Sequence, residues 1–401
     1  MELPAFESLL TPAGERALAD AVALAPRETD FLRHFTALSR RHPAETARAA
    51  LEIAILRLKA VSKFGDLAAK LYFTREALEQ SSSAPVAAWR AARYADTDTV
   101  LDLGCSVGGD TLALAARSSG GGTIGVDRDA VRLAMAAANA EAAGAGKRTR
   151  FIAANLESPL PVDPGPESAL FFDPGRRSGE RRARSVLDYQ PPLDVIRDWL
   201  LRWPALGVKI APGVRMEELE EYNAEIEFIS LGGELREAVL WFGPLRRDGG
   251  PRRATVLPGP HTMCGVPDLT GDAGSRPPRL GEPEAWLYEP DPAVIRAGLV
   301  RQLGVELDAR QLDASIVFLT SATRVDTPYA RALEVEDWMP FNQRRLRAYL
   351  RERGIGRVTV KKRGSPLDAE RLARDLRTKG DEERLVVLTR VDGNPVAIVC
   401  R

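Results

Sequence analysis

Through residues 1 to about 95, apolar residues recur at three- and four-residue steps, most clearly in AETARAALEIAILRLKAVSKF and LAAKLYFTREALEQ. That spacing lines one face of a helix, and no run here alternates as a strand would. A helical N-terminal region over residues 1–95 is expected. From Thr99 the rhythm changes. VLDLG and TIGVD are apolar runs of strand length, each followed by a helix-period segment, DTLALAARS and AVRLAMAAANAEAAGAG. RFIAANL, ALFFD, a helix around PPLDVIRDWLLRW, GVKIAPG, EIEFISL and EAVLWFGPL continue the series. Strands alternating with helices predict an α/β domain over residues 96–245, a mostly parallel sheet covered on both faces. The last two runs are close enough in sequence to pair antiparallel at one edge.

Residues 246–284 are rich in Pro, Gly and Arg and read as a linker. Beyond them, AWLYEPDPAVIRAGLVRQLG and SIVFLTS predict a strand, a helix and a strand in a small α+β module over 285–328. A last α+β module, 329–401, holds the helix FNQRRLRAYLRERG, the strand RVTVKKRG, the helix SPLDAERLARDLRTKG and the strands ERLVVLTRVDG and PVAIVCR. The VDGNP between those two strands is a hairpin-turn signal.

Composition changes this picture little. Of 401 residues, 44% are hydrophobic and 28% charged, which suits a globular protein with a full core. No apolar run approaches the roughly 20 residues needed to span a bilayer. MELPAFESLLTPAGERALAD lacks the basic and then apolar pattern of a secretory leader. Cys105, Cys264 and Cys400 are scattered, with neither metal-ligand nor disulfide spacing. A reducing cytoplasm and no metal are therefore expected. Formal charge is zero, but nine Lys or Arg lie between Phe341 and Arg363 against Glu352 alone, with Arg344, Arg345, Lys361 and Lys362 among them. Such a segment either steers a polyanion or is a solvated helix face.

Candidate chemistry centres on VLDLGCSVGGDTLALA, where a strand delivers Asp102 and Gly104 into a tight turn ahead of a helix. For a methyl-transfer cofactor, Asp102 at the first strand's end meets a methionine ammonium. Asp127, closing the second strand, accepts from both ribose hydroxyls. Asn155, with Leu156 beside it, follows the third strand and reads the adenine edge. Both carboxylates then lie at strand C-termini, the ligand edge of an open α/β sheet. Two rivals share the local pattern. A dinucleotide dehydrogenase needs glycine where Ser106 stands, for close approach to a pyrophosphate. A serine hydrolase would use G-x-S-x-G at Ser106, with Asp173 and His261 completing a triad. Its elbow, however, would fall on the first strand, with no earlier strand to carry an oxyanion loop.

These residues resemble the class I S-adenosylmethionine-dependent methyltransferases, and more closely the subgroup with a THUMP-like C-terminal domain. The shared landmarks are LYFTREALEQSSS, VLDLGCSVGGD, IGVDRD, FFDPGRR, VKIAPG, GELREAVLWFG and VTVKKRGSPLDAERLARDLR. The resemblance implies a Rossmann-like methyltransferase domain, a ferredoxin-like module at 285–328, and a THUMP-like domain at 329–401 that docks structured RNA; the alternatives are a protein or small-molecule acceptor, or an RNA-binding protein without catalysis. S-adenosyl-L-methionine is the implied cofactor. Its methionine end would lie against Asp102, Gly104, Cys105, Ser106 and Gly108, and its ribose against Asp127. Asp173-Pro174 resembles the start of the D-P-P-Y motif of enzymes that methylate base amines, which makes these two the catalytic candidates. Gly175 and Arg176 stand where that motif has Pro and its aromatic residue. Arg176 and Arg177 are candidates for phosphate contacts. D-P-x-R also occurs in uracil carbon-5 methyltransferases, but no cysteine follows a later strand to serve as their nucleophile.

Overall fold

The computed structural model describes residues 1–117, 121–157, 159–160, 162–163, 165–175, 177–178, 181–182, 185–268 and 279–401. The chain divides into two compact units, Met1–Glu225 with Glu237–Asp248, and Ile226–Arg236 with Gly249–Arg401.

The first unit opens with helices α1 (Leu3–Leu9), α2 (Pro12–Ala23), α3 (Phe31–Leu38), α4 (Ala44–Phe64), α5 (Arg75–Gln80) and α6 (Ala84–Ala91). No strand precedes Val100. Local chemistry sets the ends. The Thr11 and Thr74 side chains accept from the amides of Gly14 and Ala77, capping α2 and α5. Lys63, in the last turn of α4, donates to the carbonyls of Leu78 (2.7 Å), Glu79 (2.9 Å) and Ser81 (2.7 Å). It thereby satisfies acceptors that the C-terminus of α5 leaves over. Leu51, Ile53, Leu56 and Phe64 of α4 form one core with Phe6, Leu9 and Phe73, and that core also takes in Val107 and Met135. Each such side chain contributes on the order of 1.5–3 kcal/mol by leaving water.

The sheet begins with β1 (Val100–Leu103), β2 (Thr123–Asp127), β3 (Thr149–Ala153) and β4 (Ala169–Phe172), with helices α7 (Gly109–Ala115) and α8 (Ala130–Ala142) in the first two connections. A two-residue ribbon follows, β5 (Arg177–Ser178) with β6 (Arg181–Arg182), then α9 (Ile196–Arg202) and β7 (Leu206–Ile210). Next, β8 (Glu225–Leu231) turns at Gly232 and Gly233 into β9 (Glu234–Trp241). Within the first unit the strand order is β9-β7-β4-β1-β2-β3. All pairs are parallel except β9 against β7. The connections thus change direction at β1 and β4, and ligands of such sheets bind at the carboxyl ends of the strands on either side of that switch. β1, β4 and β7 are buried throughout, which is why they read as short unbroken apolar runs.

The second unit holds β10 (Arg252–Leu257), β11 (His261–Gly265), β12 (Trp286–Pro290), α10 (Pro292–Ala297), α11 (Val300–Glu306), β13 (Arg310–Asp313) and β14 (Ile316–Ser321). β15 (Ala330–Pro340), α12 (Gln343–Glu352), β16 (Ile355–Lys362), α13 (Ala369–Asp375), β17 (Glu382–Val391) and β18 (Asn394–Cys400) complete it. The expected hairpin is present: Val391 pairs with Asn394, and Asp392 and Gly393 take φ of 46° and 79°, the two positive values of a type I′ turn.

Three expectations change. The stretch 246–284 is not loop throughout, because β10 pairs antiparallel with β11 and parallel with β8. The buried Ala254, Thr255 and Leu257 explain the strand; the flanking Pro and Gly hid it. β8 is therefore no edge strand, and its parallel partner β10 lies on the side that the edge reading left open. Finally, residues 285–328 and 329–401 share one sheet, ordered β13-β14-β12-β15-β18-β17-β16. β12 pairs with both β14 and β15, so no sheet boundary falls at residue 328.

Candidate active site

The turn after β1 is fastened on both sides. The amides of Gly104 and Cys105 donate to the Val126 carbonyl on β2 at 2.8 and 3.1 Å, and the Asp173 amide donates to the Leu103 carbonyl at 3.0 Å. Gly104 has φ +82°, and a Cβ there would lie 2.6 Å from the Asp173 carbonyl oxygen. Only glycine lets these two chain segments come so close. Ser106, a non-glycine residue, also has positive φ (50°). Its amide donates to Asp127 Oδ2 at 2.8 Å, while its hydroxyl is buried without a hydrogen-bond partner among the described residues. No base engages that hydroxyl, and His261 is exposed at the start of β11, so the hydrolase reading finds no support. Gly108, at φ +82°, precedes α7.

Asp102 is fully buried. Its Oδ2 accepts from Thr111 Oγ1 at 2.5 Å, and its Oδ1 has no partner among the described residues. Burial, then the neighbouring Asp110 and Asp173, push its carboxyl up to about 8 against the pull of Thr111 and Arg90. An unpaired buried carboxylate oxygen is costly unless something completes it, and a cation is the completion the chemistry favours. Asp127 accepts the amides of Ser106 and, at 2.9 Å, Asp129, which leaves lone pairs on both oxygens for hydroxyl donors. These residues fit the group implied by the motif: one carboxylate for an ammonium, one for a pair of hydroxyls.

The other cofactor candidates are placed differently from one another. Cys105 shapes the turn through its backbone, while its thiol is buried close to Gly125, and burial raises its pKa well above the ordinary range. Asn155 is exposed, and its Oδ1 accepts the Glu157 amide at 3.1 Å, so its side chain serves its own turn. Leu156 beside it is buried.

Asp173 follows β4 at the switch point. Pro174 is buried, and Gly175 is bonded in both directions to Gln190, at 3.0 and 2.9 Å. Sequence reasoning missed the partner of Asp173. Lys209 Nζ on β7 donates to Asp173 Oδ2 at 2.5 Å, with the lysine side chain 3% exposed and the aspartate 21%. The available signal was a single charge inside the otherwise apolar LGVKI. Arg90 of α6 was missed too. It is buried, pairs with Glu237 at 2.7 Å and with Asp110, donates to the Ser82 hydroxyl at 3.0 Å, and lies 4.7 Å over the Phe171 ring. Burial raises the Glu237 carboxyl. Four acids (Asp102, Asp110, Asp173, Glu237) and two cations (Arg90, Lys209) thus share this end of the sheet.

Of the arginine candidates, Arg176 lies outside the described residues, and Arg177 starts β5. In the second unit, Arg344 and Arg345 are exposed on α12, whose Leu346 and Leu350 face the core. Lys361 and Lys362 are engaged within the fold. Lys361 Nζ donates to Glu289 at 2.5 Å and Lys362 Nζ to the Leu367 carbonyl at 2.6 Å. Among the described residues no cluster of His, Cys, Asp or Glu could hold a metal, and no helix is long and apolar enough to cross a membrane.

Comparison with known proteins agrees with this geometry. Residues 330–401 match the THUMP domain-like family, and residues 2–60 match a domain of unknown function, DUF8688. Two Mycobacterium tuberculosis proteins, of strains CDC 1551 / Oshkosh and ATCC 25618 / H37Rv, are each 37% identical over 362 residues. That covers 88% of this chain and 96% of theirs, and both are named uncharacterized S-adenosylmethionine-dependent methyltransferases. A crystal structure described as a methyltransferase of Porphyromonas gingivalis W83 superposes with TM-score 0.78 at 19% identity, covering 96% of this chain and 98% of that one. The chain belongs to the class I S-adenosylmethionine-dependent methyltransferases that carry a THUMP-like C-terminal domain.

Proposed function

We propose that this methyltransferase modifies structured RNA, docked through its THUMP-like region and methylated beside Asp173. The observation that carries the RNA reading is the THUMP-like match together with α12, which exposes Arg344, Arg345, Arg347 and Arg351 while burying Leu346 and Leu350. A helix anchored on one face and cationic on the other suits a phosphate backbone. Lys361 and Lys362 are secondary candidates, since each already has a protein acceptor. The three cysteines are free, which fits a reducing cytoplasm.

At the catalytic end, Asp102, Gly104, Ser106 and Gly108 would hold the methionine portion of S-adenosylmethionine and Asp127 its ribose. The cofactor supplies an activated methyl group. The protein's own task is alignment and proton removal. Asp173, fixed at the switch point, would orient the acceptor. Arg177 beside it is a candidate phosphate contact, as is Arg176. The test is mass spectrometry of nucleosides from cells with and without this protein. A methylated nucleoside that disappears in its absence and returns with the purified enzyme supports the reading. Unchanged RNA, with methyl appearing in protein or small molecules, overturns it.

A further inference from the structure

The ion pair between Lys209 and Asp173 narrows the kind of atom that is methylated. Lys209 is the fourth of five residues in a strand buried at every position, where a charged amine is stable only if paired. Its neighbours supply the counter-charge. Asp173 Oδ2 is 2.5 Å away, and Glu237 of β9 interacts with it electrostatically. Glu237 is itself held by Arg90. The lysine therefore cannot swing away, and neither can the carboxylate it grips. Among the described residues Asp173 makes no other side-chain hydrogen bond, and at 21% exposure it still reaches the surface.

We infer that Lys209 is a positioning residue for methyl transfer, pinning Oδ2 of Asp173 so that Oδ1 faces the acceptor as a hydrogen-bond acceptor only. The nucleophile must then bring a hydrogen: an amine nitrogen or a hydroxyl oxygen, not a hydrogen-free ring nitrogen or a carbon. In the step itself, the nucleophile's lone pair forms the new bond to the methyl carbon. The carbon–sulfur bond breaks with its pair going to sulfur, and the nucleophile's proton leaves to Asp173 Oδ1. This inference rests on Asp173 being at the acceptor, but not on the acceptor being RNA.

The experiment compares the parent with Lys209→Gln, Lys209→Arg and Asp173→Asn. Each is assayed with tritiated S-adenosylmethionine on RNA and, separately, on protein extracted from a strain lacking this chain. Calorimetry with S-adenosylhomocysteine runs alongside. Lys209→Gln should lower turnover about 100-fold while S-adenosylhomocysteine affinity stays within about twofold, and Lys209→Arg should recover about tenfold of that loss. Asp173→Asn should be inactive yet still bind S-adenosylhomocysteine. Mass spectrometry should locate the methyl on a nitrogen or oxygen that carried hydrogen. The inference fails if Lys209→Gln retains half the parent turnover, or if cofactor affinity falls in step with turnover. It also fails if Asp173→Asn stays active, a result that stands whether or not Lys209→Gln folds, or if the methyl sits on carbon or a hydrogen-free nitrogen. Methyl on a protein amine would overturn the RNA proposal and leave this one standing.

Discussion

Raising the pH from about 6.5 to about 8.5 should tighten S-adenosylhomocysteine binding steeply, because Asp102 must be ionised to receive the ligand's ammonium. The perturbation acts on one buried carboxyl. Asp102 faces Thr111 and Asp110 from α7, Asp173 from the β4 end and Arg90 from α6, and burial with the two acids lifts it to about 8. With that value, about 3% is ionised near pH 6.5 and about 76% near pH 8.5, so apparent affinity should rise about 25-fold. Calorimetry in two buffers of different ionisation enthalpy measures the affinity and the proton released together. Asp102→Asn supplies the control: the ligand's own amine titrates equally in both proteins, so the mutant should bind weakly and lack the rise. The sign can be checked independently. A carboxyl raised from 3.8 in the unfolded chain contributes stability below that value and loses it as pH climbs to about 8. Ligand binding restores a partner to the ionised form, so the gain in Tm on adding S-adenosylhomocysteine should grow over the same interval. A flat affinity profile in the parent, or a parallel rise in Asp102→Asn, would refute the reasoning.

Gly104→Ala should destabilise by about 1–3 kcal/mol and weaken S-adenosylhomocysteine binding, since the added carbon meets the Asp173 carbonyl at 2.6 Å; urea unfolding with calorimetry checks both. Arg90→Leu leaves the buried Glu237 and the partly buried Asp110 without their cation, and should cost about 3–5 kcal/mol. A loss below about 1 kcal/mol in urea unfolding would show that the pair is replaceable. Neutralising Arg344, Arg345, Arg347 and Arg351 together should reduce the salt dependence of RNA binding by a slope of up to about 3–4. Lys361→Gln, whose amine already pairs with Glu289, should change that slope by well under one.

Local signals carried the sequence reading as far as local causes reach. The β1 turn was legible because Asp102, the following glycines and Asp127 fall within a stretch whose period switches from strand to helix. The I′ turn at Asp392-Gly393 was legible for the same reason. β15 was not, because its burial follows no alternation (half-buried residues run from Val335 to Trp338) and its partners β12 and β18 are distant in sequence. Lys209, Arg90 and Glu237 were equally opaque. Lys209 and Arg90 are each the one charged residue of an apolar element, Glu237 follows other charges in its strand, and each counter-ion is 36 or 147 residues away in the chain. What a sequence displays about such a residue is its cost, and only the fold displays what offsets that cost.

The N-terminal helices have a consequence for how far this enzyme can be taken apart. Val107 of the cofactor turn and Met135 of α8 belong to the same core as Phe6, Leu51 and Phe73. Asn139 of α8 ties the two regions together, its Nδ2 donating to the Val107 carbonyl at 2.9 Å and its Oδ1 accepting the Tyr72 amide at 2.7 Å. A fragment beginning at β1 would carry every candidate cofactor residue and still lack the wall against which the turn is set. The nucleotide-binding fold, so often a portable cassette, here shares its core with the N-terminal helices, and a truncation that removes them should cost the turn its support.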